Sequence, residues 1–231
     1  MNDVFRAEKK YLLNVTEMMR ARDFLDKLLI PDPHNGRDGY VVRSLYFDTL
    51  YDGDFFDKKD GLETRKKIRL RLYDTSSERV LLEVKQKQGE NQRKRSLKIS
   101  REHAMRLIDG DFTPLLSYKD KFSLECYGMM QAGAYRPKTI VEYDRRAYIA
   151  KENRTRITFD SGIRATEISM DFFNPHLALN PVIDAHSSIL EVKYNGFLLS
   201  YIHQFLNCID KTPVAVSKYI LARQQGLLTQ F

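Results

Sequence analysis

Two short strings hold the side chains most able to do chemistry: "KKIRLRLY" at residues 66–73 and "LLEVKQK" at residues 81–87. In the first, Ile68, Leu70 and Leu72 alternate with Lys67, Arg69 and Arg71. A strand with this period puts aliphatics on one face and only cations on the other. In the second, Glu83, Lys85 and Lys87 share a face. Guanidinium and ammonium groups without matching carboxylates are anion-binding chemistry, with phosphate the closest fit to the arginine fork. One such strand is most simply a half-buried strand with a solvated basic face.

The same pattern recurs along the chain. Arg6, Glu8 and Lys10 share a face of "FRAEKKYLL" (5–13), and Lys94, Ser96 and Lys98 share a face at 92–99. Glu142, Asp144 and Arg146 alternate in "KTIVEYDRRAYIA" (138–150). Arg154, Arg156, Thr158 and Asp160 do so in "RTRITFD" (154–160), and Glu191 and Lys193 in "SSILEVKYNG" (187–196). With "YVVRSLYFDT" (40–49), "KKIRLRLY" and "LLEVKQK", these make about eight mostly meandering strands.

Solvated sheet faces usually mix Thr, Ser, Gln and Lys, whereas these repeat E-x-K and R-x-R. The expectation is an α+β fold: an eight-stranded antiparallel β-barrel, a tunnel with a polar, basic lumen and helices on its outside. An empty basic lumen repels itself, and a polyanion such as a triphosphate or longer phosphate chain supplies the counter-charge. The carboxylates are then free to hold Mn²⁺ or Mg²⁺.

The elements that position these strands are legible. Met18, Ala21, Leu25, Leu28 and Leu29 follow helical spacing after Thr16, ended by Pro31-Asp32-Pro33. Ser100 is placed to cap a short helix ending near Gly110. Thr113-Pro114 opens a helical region to about Ala132, and residues 165–187 are less regular. Helices are expected at 197–210 and from Ser217 to about Gln225. No linker or repeat divides the chain, so the reading is a single domain over residues 1–231.

Composition narrows the function classes. The net charge is +7 over 231 residues, with 13 Tyr, 13 Phe and no Trp. That describes a folded protein with an anionic partner. No stretch has signal-peptide or membrane-spanning length, so a cytoplasmic location is expected, with any membrane role left to a partner. Cys126 and Cys208 match no metal or redox spacing and read as core or half-buried thiols. The five histidines are scattered, and none is assigned to metal. Single-strand nucleic-acid binders interleave cations with aromatics on one face. Here Tyr73 and Tyr143 alternate away from the cations, so no nucleic acid is expected.

Taken in order, the motifs resemble a known family. The R-x-E-x-K of Arg6, Glu8 and Lys10 is similar to the E-x-E-x-K signature of triphosphate tunnel metalloenzymes. It is followed by "SLYFDT", "IRLRLY", "LLEVKQK", "EYDRRAY", "RTRITFD", "LEVKY" and "SKY" (217–219). The order resembles the VTC domain, the polyphosphate polymerase branch of that CYTH-like superfamily. The resemblance implies metal-dependent transfer of the γ-phosphoryl group of ATP to a polyphosphate chain. It implies that Lys10, Arg69, Arg71, Lys85, Arg146, Arg156 and Lys218 act on phosphates. Lys94, Lys98, Arg154 and Lys193 are further candidate contacts, and Glu191 is the leading metal ligand, with Glu8, Glu83 and Glu142 as helpers. It also implies a separate membrane-protein partner. Arg6 stands where the triphosphatase members carry their first glutamate, which disfavours a two-metal hydrolase. Triphosphate hydrolysis and non-catalytic polyphosphate or nucleotide sensing are the alternatives. Arg145 and Arg164 are expected to be outward salt-bridge formers.

Overall fold

The computed structural model describes residues 6–89, 91–215 and 217–228. Eight long strands run in chain order: β1 (Arg6–Asn14), β2 (Tyr40–Asp48), β3 (Thr64–Leu72), β4 (Arg79–Gln88), β5 (Asn91–Ser100), β6 (Arg136–Ala150), β7 (Thr155–Thr166) and β8 (Ser187–Asn195). Six α-helices accompany them: α1 (Val15–Leu28), α2 (Gly53–Lys59), α3 (Arg101–Ile108), α4 (Lys121–Ala132), α5 (Ser200–Cys208) and α6 (Lys218–Leu228). The fold is α+β, a mostly antiparallel sheet with flanking helices. The chain forms two compact units.

The first unit comprises residues 1–41, 143–164 and 181–217. Its strand order is β1-β8-β7-β6, with β6 contributing its second half and Thr212–Pro213 bridging the edge of β1. The Asn14 side chain ends β1 and starts α1 by accepting the Glu17 N–H at 2.8 Å. Leu25 of α1 and Ile202 and Phe205 of α5 pack on Tyr148, Phe159, Leu190 and Val192. The apolar face of the sheet is therefore the helix-covered one. Two glycines are required here. A Cβ on Gly39 (φ +107) would lie 2.4 Å from the Arg145 carbonyl oxygen, so only glycine lets the loop ride against β6. Gly162 (φ +55) interrupts the alternation of β7.

The second unit comprises residues 42–142, 165–180 and 218–231. Its order is β6-β2-β3-β4-β5, with β6 contributing its first half. Leu45, Ile68, Leu70, Leu82, Val84 and Ile99 form one sheet face, packed against Leu107 of α3 and Cys126 and Met130 of α4. Ser100 caps α3 as expected, its hydroxyl accepting the His103 N–H at 3.1 Å. The helical region expected over 113–132 is two pieces, a 3-10 helix Thr113–Tyr118 and α4. Lys119 lies between them in the left-handed region, and Asp120 caps α4. The sequence reading missed α2. Its start is stabilised by Asp48 at the end of β2, whose carboxylate accepts the N–H groups of Asp54 and Phe55 at 2.9 Å each.

Candidate functional site

In the second unit the antiparallel register of β3 and β4 sets Lys67 opposite Lys85, Arg69 opposite Glu83 and Arg71 opposite Leu81. Between β4 and β5, Lys85 faces Lys94, Glu83 faces Ser96, and Leu81 faces Lys98. Directly opposed residues share a sheet face. The expected cationic face therefore forms, away from the apolar core.

Its centre is Glu83, fully buried, with Arg69 and Arg71 each only 7% exposed. Arg69 donates from Nε to Glu83 Oε2 at 2.7 Å, and its Nη2 lies 2.6 Å from the same oxygen. Arg71 Nη1 is 3.8 Å away, and Lys94 pairs with the other oxygen. Burial opposes ionisation of Glu83, but Arg69, Arg71 and Lys94 outweigh it and hold its carboxyl at about 2. Arg69 also donates to the Tyr46 hydroxyl at 3.0 Å, and Arg71 to Ser44 Oγ at 3.3 Å. Tyr46 stacks on Tyr219 of α6 with ring centroids 5.1 Å apart, and the Tyr219 hydroxyl donates to Asp48. Tyr46 and Asp48 thus brace Arg69 and α2. Lys218, at the first position of α6, is half-buried.

The first unit has a counterpart. Lys10 of β1 is opposite Glu191 of β8, and Glu8 is opposite Lys193. Glu191 in turn faces Thr158, and Lys193 faces Arg156. Lys10 Nζ lies 3.0 Å from Glu8 and 3.3 Å from Glu191. Burial disfavours its charge, yet Glu191 and Glu8 prevail and raise it above the ordinary lysine range. Glu191 also pairs with Lys193, and Arg145 Nη2 is 3.7 Å away. Arg145 grips Asp160 bidentately at 2.6 and 2.7 Å.

Several expectations need correcting. Arg145 does form a salt bridge, but inward, its side chain 11% exposed beside Glu191. Arg146 lies on the other face of β6, donating to the Tyr148 hydroxyl at 2.9 Å and pairing with Asp26 of α1 at 3.2 Å. Alternation sends Glu142 the same way. It is bound by Arg43, which also donates to the carbonyls of Phe172 and Asn174. Asp144 pairs with Arg164, which follows the Gly162 interruption. Arg154 is not on a strand: it sits exposed at φ +54 in the turn before β7. Arg156 keeps its face, held by Asp32 at 2.5 Å and the Tyr40 hydroxyl at 3.0 Å. Lys98 is exposed and Lys85 half-buried. Cys126 is buried as expected, but Cys208 is exposed. Arg6 belongs to β1, and its side chain lies outside the described residues.

Among the described residues, no three His, Cys, Asp or Glu side chains converge as a metal site. Glu83 is enclosed by Arg69, Arg71 and Lys94, and Glu142 is bound by Arg43, with no second carboxylate beside either among the ion pairs described. Glu8 and Glu191 suit a divalent ion better, because their oxygens already converge on a single shared cation, the Lys10 ammonium. The Thr158 hydroxyl, opposite Glu191 and buried, has no hydrogen-bond partner among the described residues. Two carboxylates completed by phosphate oxygens are a usual Mg²⁺ environment. No helix of the described residues is long and apolar enough to cross a membrane.

A solved structure named as a "putative adenylate cyclase" from Bacillus halodurans is similar in fold, at a TM-score of 0.52 and 11% identity. The match covers 91% of this chain and 93% of that one. A second structure so named, from Vibrio parahaemolyticus, gives a TM-score of 0.46 at 12% identity over 89% of this chain and 84% of its own. No curated protein matches the chain. The family model described as "VTC domain" matches residues 5–226, nearly the whole chain and all the strands just described, and the chain belongs to the VTC domain family.

Proposed function

We propose that the chain is a polyphosphate polymerase, transferring the γ-phosphoryl group of ATP to a polyphosphate chain along its cation-lined strand faces. The observation that carries this reading is the pair of buried carboxylate-centred cation clusters. Arg69 and Arg71 surround Glu83, and Lys10, Lys193 and Arg145 surround Glu191, in a member of the VTC domain family. Phosphoryl transfer asks a protein mainly for positioning and charge neutralisation. Arg69 and Arg71 offer forks already oriented by Glu83, Tyr46 and Ser44, so they bind phosphate oxygens with little ordering cost. Lys10, Lys85, Lys94 and Lys193 are point charges. The acceptor is an anionic phosphate oxygen, which needs no strong base, in keeping with a site built from cations and structural carboxylates.

Glu8 and Glu191, with Thr158 beside them, are the residues that would hold Mn²⁺ or Mg²⁺. The metal's contribution when bound is to neutralise charge on the transferring phosphate. A separate membrane partner belongs to the same proposal.

The test is incubation with ATP and Mn²⁺, resolving products by chain length, with Arg69→Ala and Lys10→Ala alongside. Chains that lengthen with time and vanish in both variants support the polymerase. Free phosphate without chain growth moves the reading to a triphosphatase. Binding without turnover moves it to a sensor.

A further inference from the structure

In the first unit, the loop after α1 presents a histidine oriented by a buried acid. Asp32 is 3% exposed, and its Oδ1 accepts the His34 backbone N–H at 2.9 Å and lies 2.8 Å from His34 Nδ1. Its Oδ2 is 2.5 Å from Arg156 Nη1. Burial opposes ionisation of Asp32, but His34 and Arg156 outweigh it and hold the carboxyl below its usual range. Facing an ionised oxygen, Nδ1 carries the ring proton and Nε2 keeps its lone pair. The His34 side chain is 85% exposed, so Nε2 is turned to solvent.

The loop is fixed on β6. Ile30 and Pro31 pair with Ile149 and Tyr148. The Asp32 N–H donates to the Ala147 carbonyl at 2.9 Å. The Asn35 amide brackets the same residue, donating to its carbonyl at 2.7 Å and accepting its N–H at 3.1 Å. An Asx turn accounts for the bond to the His34 N–H. It does not call for the imidazole to bind the same carboxylate, nor for that carboxylate to hold Arg156 with its other oxygen. The ring contacts of His103 and His203 are with neutral partners, the Tyr118 hydroxyl and the Asn207 amide. Arg156 lies opposite Lys193, on the ionic face of the unit. A guanidinium suited to phosphate and an imidazole with an exposed lone pair therefore share one carboxylate, within the length of a nucleoside triphosphate.

We infer that His34 is a phosphoryl-acceptor site: its Nε2 takes the γ-phosphoryl group of a nucleoside triphosphate to form a phosphohistidine, and Asp32 orients and neutralises the ring. This rests on the proposed function for its phosphoryl donor and adds a covalent site to it. The Nε2 lone pair forms the N–P bond as the bond from the γ-phosphorus to the bridging oxygen breaks, and the nucleoside diphosphate leaves with that electron pair. No proton moves. Nδ1 keeps its hydrogen, the ring becomes cationic, and the Asp32 carboxylate balances the new charge.

The experiment incubates the full chain with Mn²⁺ and ATP labelled in the γ-phosphate, then denatures it in alkali to strip bound nucleotide and polyphosphate. Peptide mass mapping locates the label. His34→Gln and Asp32→Asn are run alongside, with thermal melts to check folding, and ATP binding to the wild type is measured by calorimetric titration. The expected result is one added phosphoryl group on the His34 peptide, stable in alkali and lost in acid. It should be absent from His34→Gln and lowered at least about tenfold in Asp32→Asn. Label that survives acid or persists in His34→Gln overturns the site, and labelling undiminished in Asp32→Asn overturns the dyad on which it rests. ATP binding with no label overturns the phosphohistidine and leaves the proposed function standing. A wild-type chain that neither binds ATP nor takes label overturns both readings.

Discussion

The two units solve one problem in different ways. Each places a glutamate of an L-E-V-K string among three cations, Glu83 with Arg69, Arg71 and Lys94, and Glu191 with Lys10, Lys193 and Arg145. Around Glu191, further carboxylates share the load: Glu8 holds Lys10, and Asp160 holds Arg145. Around Glu83 there is no second acid in the paired rungs, and positive charge continues outward. The first arrangement sets three cations against three carboxylates, and under the proposed function it is the one that would take the metal ion. The second sets three cations against one carboxylate, and under the proposed function it is the one that would take phosphate. A shared motif therefore does not imply a shared role, because neighbouring strands set the charge balance.

The largest expected effect that could break this contrast is on stability. Removing Glu83 in Glu83→Ala leaves two buried guanidiniums without their counter-ion, a loss of about 3–5 kcal/mol. Glu191→Ala should cost under half of that. The side chains of Lys10 and Lys193 are 24% and 21% exposed and can reach water, and Arg145 keeps Asp160. Urea midpoints compare the two, and equal losses would refute the difference in charge balance.

Next in size is the choice between adjacent arginines. Arg145→Ala should weaken triphosphate binding about tenfold, roughly 1.4 kcal/mol. Arg146→Ala, which removes a helix-side contact to Asp26, should leave affinity within twofold. Calorimetric titration reads both, and the opposite order would mean that the faces of β6 are assigned the wrong way round.

The smallest effect uses a carboxylate of the second unit that lacks such a cluster. Asp54 is buried, and burial pushes its carboxyl up to about 6 despite Lys66. The folded state then keeps a proton that the unfolded chain releases near pH 4. Stability should rise as pH falls from 7 to 5, by about 1 kcal/mol. The Asp54→Asn variant should lose this gain. Thermal melts at the two pH values, wild type against variant, decide it.

Strand faces with one clear apolar set were legible from residue order alone. Ile68, Leu70 and Leu72 leave no doubt which way Arg69 and Arg71 point. In "EYDRRAY" neither alternate set is an aliphatic run, since Tyr143, Arg145 and Ala147 oppose Glu142, Asp144, Arg146 and Tyr148, so period two has only a weak hydrophobic anchor. Asp26 from α1 and Asp160 from β7, both remote in sequence, are what separate Arg146 from Arg145. Residue order places a turn at Lys151-Glu152-Asn153 and starts the strand at Arg154, whereas the turn runs one residue further and Arg154 takes a left-handed conformation within it. The surroundings of the candidate glutamates were harder to read, since Lys10 beside Glu191, Arg43 beside Glu142 and Arg69 beside Glu83 each come from another strand. The Tyr219–Tyr46–Arg69 stack was hidden for the same reason.

Lys10 is held between Glu8 and Glu191 so firmly that its proton stays on well beyond the ordinary lysine range. It is a fixed charge and takes no part in proton transfer at neutral pH. A pH–rate profile taken between 6 and 9 should therefore show no ionisation from this lysine. An inflection near 6 would report the second ionisation of a terminal phosphate or the scaffold carboxyl of Asp54, and repeating the profile in Asp54→Asn would assign it to one or the other.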